Sequence, residues 1–197
     1  MSKPVAKIIV STVPFCLVNA WPFFRRFHSY FDWKVVYLLR DKGEGESVEV
    51  RKIWEDLFGV ETQFLGYEYN EDDIANFEIG FNKDKAETDI QNSCADADLI
   101  ITHNHLGETA NIYNVFVNSV VSQSDKPQVV FGMSDDNDNN LIILPKFYGN
   151  QPIPTEGLRW TKEWVESKGS VYEGKYACDD KAVELIKKHA DHITFTC

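Results

Sequence analysis

Two spacings of apolar residues alternate along the chain, and each change from one to the other marks an element. Short, nearly continuous runs read as strands: Ala6 to Thr12 (AKIIVST), Trp33 to Leu39 (WKVVYLL), Val60 to Tyr67 (VETQFLGY), Leu99-Ile100-Ile101, Pro127 to Met133 and Leu141 to Pro145. Ile193-Thr194-Phe195 reads as a last one. Between them the spacing turns helical. Phe15 to Phe31, with Leu17, Trp21, Phe23, Phe24, Phe27, Tyr30 and Phe31, predicts an aromatic-rich helix that has Pro22 near its start. Ser47 is expected to cap a helix whose apolar face is Val50, Ile53, Trp54 and Leu57, and Gly59 to end it. Further helices are expected over Lys83 to Ala95, after Gly107, over Leu158 to Lys168 and over Asp179 to His189.

The remaining stretches read as connections. Glu68 to Asp73 is an acidic loop, and Lys146 to Gly157, with Pro152 and Pro154, a long connection. Ser134 to Asn140 imitates the start of a calcium loop but lacks the glycine and distal glutamate of an EF-hand, so it reads as a solvated turn. Strands alternating with helices imply an α/β sandwich around a mostly parallel sheet, and no linker divides residues 1–197 into more than one domain.

Composition narrows the partners. With 31 acidic and 20 basic residues the formal net charge is −11, and no basic patch offsets it, so neither nucleic acid nor an anionic membrane surface is an expected partner. No stretch reaches the ~20 apolar residues of a membrane-spanning helix. Cys16, Cys94, Cys178 and Cys197 form no C-x-x-C pair and read as reduced thiols of a cytoplasmic protein. The competing localisation is secretion with residues 1–20 as a signal peptide: Lys3 and Lys7 precede the run Ile8 to Val18, although Pro14 breaks it. Oligomeric state leaves no mark on the sequence.

Candidate chemistry gathers where the run Leu99-Ile100-Ile101 meets Thr102-His103-Asn104-His105 and then Gly107-Glu108. Ligands of open α/β sheets bind beyond the carboxyl ends of strands, where these polar residues would lie. Asn111, Asn114 and Asn118 follow at i, i+3 and i+7, on one face of the expected helix. With Asn104 and Glu108 they make a candidate set for the hydroxyls of a small polar molecule such as a sugar.

Thr102-His103-Asn104 followed by Gly107-Glu108-Thr109 resembles the T-H-N-x-x-G-E-[YT]-G-H-P-x-H segment of the PIG-L/LmbE-like family, the N-acetylglucosaminyl-phosphatidylinositol deacetylase-like zinc hydrolases. In the same order, WKVVYLLRDKGEG resembles that family's strand ending in a T-D-G type loop. Phe58-Gly59-Val60 with Phe64-Leu65-Gly66-Tyr67 resembles its L-G-V and F-L-G-Y-x-D stretch, so the likeness runs from about Lys7 to Val121. It implies a Rossmann-like three-layer fold and a zinc-dependent N-deacetylase.

Both motifs that would carry that reaction are degenerate. The family's A-H-P-D-D-E, whose histidine and second aspartate bind zinc and whose first aspartate is the general base, falls on Thr12-Val13-Pro14-Phe15-Cys16-Leu17. Its G-H-P-x-H falls on Ala110-Asn111-Ile112-Tyr113-Asn114, with asparagine at both histidines. Val13 cannot ligate a metal, Phe15 cannot accept a proton, and an amide is a poor zinc ligand beside imidazole. The catalytic positions are thus held by Phe15 and Asn111, and whether the protein is an enzyme stays open. The first expectation is a diverged protein without zinc or other cofactor, binding a small sugar-like molecule at the strand-end pocket. The alternative is a metal-dependent N-deacetylase with zinc on a rebuilt set, Cys16, His103, His105 and Glu108. A third is an interaction protein working through the aromatic segment Trp21 to Phe31.

Overall fold

The computed structural model describes residues 2–41, 43, 46–107, 111–132, 140–144 and 174–190. β1 (Val5–Val10) is apolar on both sides: Ile8 and Val10 enter one core cluster and Ile9 the other, which suits a central strand covered on both faces. It pairs in parallel with β2 (Asp32–Leu39), from Val5 opposite Asp32 to Val10 opposite Tyr37. On its other side it pairs in parallel with β4 (Leu99–Thr102), from Ala6 opposite Leu99 to Ile9 opposite Thr102. β3 (Glu61–Tyr67), β5 (Gln128–Phe131), β6 (Leu141–Leu144) and β7 (Gly174–Cys178) complete, among the described residues, a seven-stranded sheet in the order β3-β2-β1-β4-β5-β7-β6. The first five run parallel, and β7 runs antiparallel to both β5 and β6.

Helices cover both faces. α1 (Val13–Phe27), α2 (Glu46–Lys52) and α6 (Asp180–His189) contribute to the cluster around Ile8 and Val10. α4 (Lys83–Cys94) and α5 (Ile112–Val121) pack on Ile9 and Ile100 across the sheet, and a short α3 (Glu71–Asn76) precedes them in the chain. The chain therefore leaves β1 for one face and its neighbour β4 for the other. Such a reversal marks the place, beyond the two strand ends, where ligands usually bind in this α/β, Rossmann-like class.

Several readings of the sequence need correction. α1 starts at Val13 and places Pro22 in its interior rather than near its start; Trp21, Phe23, Phe24, Phe27 and Phe31 are at most 2 % exposed. Phe24 meets Trp33, Trp54 and Phe58 edge-on, so the segment is core and not an interaction surface. Burying each such ring contributes roughly 1.5–3 kcal/mol, a stronger demand on the chain than any surface role. Ser47 lies inside the first turn of α2, which begins at Glu46.

Leu57 is 55 % exposed because Ile53–Leu57 forms a π-helical turn, whose extra residue per turn rotates it off the face of Val50, Ile53 and Trp54. Gly59, at φ 64°, ends this helix as expected. The acidic stretch is part helix: the Asn70 side chain accepts from the Asp72 N–H at 3.1 Å and starts α3, and Asp73 is buried. β7 was not legible as a strand; Tyr176 alone supplies a large apolar group, and pairing with two neighbours holds it. The expected helix Leu158 to Lys168, the strand Ile193 to Phe195 and the long connection lie outside the described residues.

Candidate functional site

Polar residues at the β1 and β4 ends are drawn together by the register. With Ile9 opposite Thr102 at the last paired position, Ser11 and His103 both lie just past the strand ends, where the histidine side chain reaches the serine backbone. The Thr102 hydroxyl donates to the Ile9 carbonyl at 2.8 Å. His103 is fully buried, its Nε2 accepting the Ser11 backbone N–H at 3.0 Å. The ring edge rests on Phe131, centroids 5.8 Å apart.

The asparagines arrive from β4 and α5. Asn114, also fully buried, accepts the Ser11 hydroxyl through Oδ1 and donates to the Gly107 carbonyl from Nδ2 at 3.0 Å. Asn118 Nδ2 donates to the His103 carbonyl at 2.6 Å. Asn104 donates to the Phe131 carbonyl at 3.0 Å and accepts the Leu106 N–H at 2.9 Å, turning the chain after β4. Asn111 caps α5, its Oδ1 accepting the Tyr113 N–H at 2.9 Å. Gly107 has φ 68°, and a Cβ there would fall 2.9 Å from Val115 Cγ2 and 3.1 Å from Asn114 Cβ. Only glycine lets this loop close on α5.

His103 and His105 do not act as a pair. β4 ends at Thr102, the turn at Asn104 intervenes, and His105 faces solvent while His103 is enclosed. Phe15 and Cys16 lie in the first turn of α1, but their side chains, and all of Glu108, lie outside what the structure describes. Among the described residues, no three His, Cys, Asp or Glu side chains group closely enough to hold a metal ion. His103 does not suit zinc through Nε2, because the lone pair a metal would need already accepts the Ser11 N–H. Cys94 and Cys178 are free thiols, and burial pushes them up to about 11 and about 12. Among described residues no helix is long and apolar enough to cross a membrane.

Sequence reasoning missed four residues that shape this end of the sheet: Ser11, Asn70, Asp73 and Tyr113. Ser11 was legible as a small polar residue at the end of an apolar strand, one position before the degenerate motif. The Tyr113 hydroxyl donates to Asp73 Oδ2 at 2.7 Å and accepts the Asn70 N–H at 2.9 Å, tying the β3–α3 connection to the first turn of α5. Asp73 also accepts the Gly80 N–H at 2.9 Å, which leads in holding its carboxyl below the usual range, the Tyr113 hydroxyl adding to it. Burial is the main cause that pushes the Tyr113 phenol up to about 12. Nothing in the local sequence pairs residues 40 positions apart.

No protein-family model matches the chain, and no curated protein matches it. Solved structures similar to it include a deacetylase of the teicoplanin biosynthesis pathway, at 9 % identity and TM-score 0.48 over 97 % of this chain and 94 % of the other. The A40926 pseudoaglycone deacetylase Dbv21 is similar at 10 % identity and TM-score 0.48, over 99 % and 95 %. GalB, the 4-carboxy-2-hydroxymuconate hydratase of Pseudomonas putida KT2440, is similar at 10 % identity and TM-score 0.48, over 91 % and 95 %. At this level the likeness stops at overall architecture.

Proposed function

We propose that this chain is a pseudoenzyme on a deacetylase-like fold, which binds a small polar, sugar-like molecule at the strand-end crevice without hydrolysing it. One observation carries the reading. The Ser11 N–H and hydroxyl meet His103 and Asn114, so hydrogen bonds within the protein join β1, β4 and α5 where the resemblance would put a metal-binding cluster. The family's ligand, base and oxyanion-stabilising positions hold Val13, Phe15, Cys16, Asn111 and Asn114. Neither Val13 nor Phe15 can bind a cation or take a proton from water, the two tasks amide hydrolysis would set them.

In this reading Asn104, Asn114 and Asn118 form the floor of the crevice, since their amides hold the loops in place. Asn111, at the start of α5, supplies polar groups that meet the ligand's hydroxyls, and Glu108, three positions earlier in the sequence, is the candidate to join it. The test is metal analysis of protein purified without chelator, together with titration of N-acetylglucosamine followed by NMR amide shifts and by acetate release. Saturable shifts over residues 103–114 that weaken in Asn111→Ala, with no acetate formed, are expected. Stoichiometric zinc that is lost in His103→Ala, or acetate release, would overturn the pseudoenzyme. Absence of any saturable shift would overturn the ligand.

A further inference from the structure

A second polar recess lies on the face of the sheet covered by α4, toward the amino-terminal ends of the strands and away from the crevice. Its origin is an unusual residue: Lys7, in the middle of the central strand, is only 5 % exposed. Its ammonium donates to the Ser93 carbonyl at 2.9 Å and to the Asp96 carboxylate. By register Lys7 stands beside Lys34, and Lys34 beside Glu61, so a charged row crosses three strands. Asp89, Asn92 and Ser93 of α4, at i, i+3 and i+4, and Asp96 in the turn that follows it, line the cavity opposite that row. Between sheet and helix opens a cavity of about 310 Å³, lined also by Gln63 and by the apolar Val36 and Leu65.

A lysine in a strand covered on both faces is not what the fold requires. An apolar side chain would fill that place without the cost of enclosing an ammonium, and only the lysine of the pair is enclosed, its partner Asp96 being 62 % exposed. Each charged side chain lining the cavity already has a partner: Lys7 with Asp96, Lys34 with Glu61 at 3.1 Å, and Asp89 with the Tyr67 hydroxyl at 2.7 Å. Two ammonium groups and three carboxylates leave a slight negative excess on a chain of net charge −11, which disfavours an anion. Matched ions set acceptors next to donors, the pattern a hydroxyl meets by accepting and donating at once. Val36 and Leu65 give the C–H face of a ring an apolar floor, and the volume lies at the lower end of small-molecule pockets, ~300–1,000 Å³.

We propose that this cavity binds an uncharged polyhydroxylated molecule, a monosaccharide or a cyclic polyol, independently of the strand-end crevice. The test is NMR titration of the full chain with glucose and with myo-inositol, using inorganic phosphate as the anionic probe. Glucose or inositol is expected to give saturable shifts centred on Lys34, Gln63, Asn92 and Asp96. The double variant Gln63→Ala/Asn92→Ala, both positions exposed and therefore compatible with the fold, is expected to weaken binding roughly tenfold or more. Lys7→Met is expected to stay folded and to bind more weakly. Unchanged affinity in the double variant, a response to phosphate alone, no response to either polyol, or shifts confined to residues 103–114 would each overturn the cavity assignment. The last of these would leave the crevice reading standing.

Discussion

Replacing Asn114 by leucine tests whether hydrogen bonds lock the β1 and β4 ends to α5. The change keeps the volume of a fully buried side chain but removes two hydrogen bonds, one from the Ser11 hydroxyl and one to the Gly107 carbonyl. Each net bond contributes about 1 kcal/mol, and each partner left without one inside the protein costs about 1–3 kcal/mol. Part of that loss is recovered by local adjustment and by leucine's apolar surface, so about 2–4 kcal/mol of destabilisation is expected.

Ser11 is itself fully buried, which makes a double-mutant cycle decisive. Once Ser11→Ala has removed the hydroxyl, Asn114→Leu no longer strands it and is expected to cost about 1–2 kcal/mol less than in the parent. Urea unfolding of the four proteins at pH 7 measures the coupling, with midpoints compared at constant slope. Effects that add to within ~0.3 kcal/mol would show that Ser11 and Asn114 are neighbours without interaction, and the lock would be refuted.

Asp73, whose carboxyl is held below its usual range chiefly by the Gly80 N–H, contributes stability that is present above the unfolded carboxylate pKa and lost as pH falls through its lower folded value. Asp73→Asn is therefore expected to cost stability at pH 7 and progressively less under acid, read from urea midpoints across pH. Tyr113 has the opposite sign: raised to about 12, it stabilises the fold below pH 10 and loses that contribution as pH rises toward 12, so Tyr113→Phe is expected to lose less in that window. Phe77 sits in the left-handed region at φ 53° with its side chain 57 % exposed, and Phe77→Asn is expected to stabilise by about 0.5–1 kcal/mol, seen as a higher melting temperature. Leu57→Lys, on the exposed side of the π turn, is expected to change stability by no more than about 0.5 kcal/mol; a larger loss would put Leu57 back in the core.

Much of the scaffold was legible from residue order. AKIIVST, WKVVYLL and Leu99-Ile100-Ile101 announce strands buried on both faces because no other short element tolerates so continuous an apolar run. Gly59 stands where α2 and its π turn stop, and Asp179 caps α6 by accepting the Ala182 N–H at 2.7 Å. The position of the candidate site was legible too, since polar residues right after a buried strand have few other places to go.

What the residue order left open was decided by contacts distant in the chain. One extra residue in the turn Ile53–Leu57 sent Leu57 to solvent, against a helical spacing that placed it in the core. β7 exists because β5 and β6 offer it edges to pair with, not because its own residues insist on a strand. The histidines looked like a pair in the sequence, yet a side-chain hydrogen bond at Asn104 turns the chain and separates an enclosed His103 from an exposed His105. Asn114, 103 positions from Ser11, meets it only because β1 and β4 are neighbours in the sheet. Periodicity reports which side of an element is buried; which buried polar group answers which is fixed by strand order and register, and those are properties of the assembled sheet.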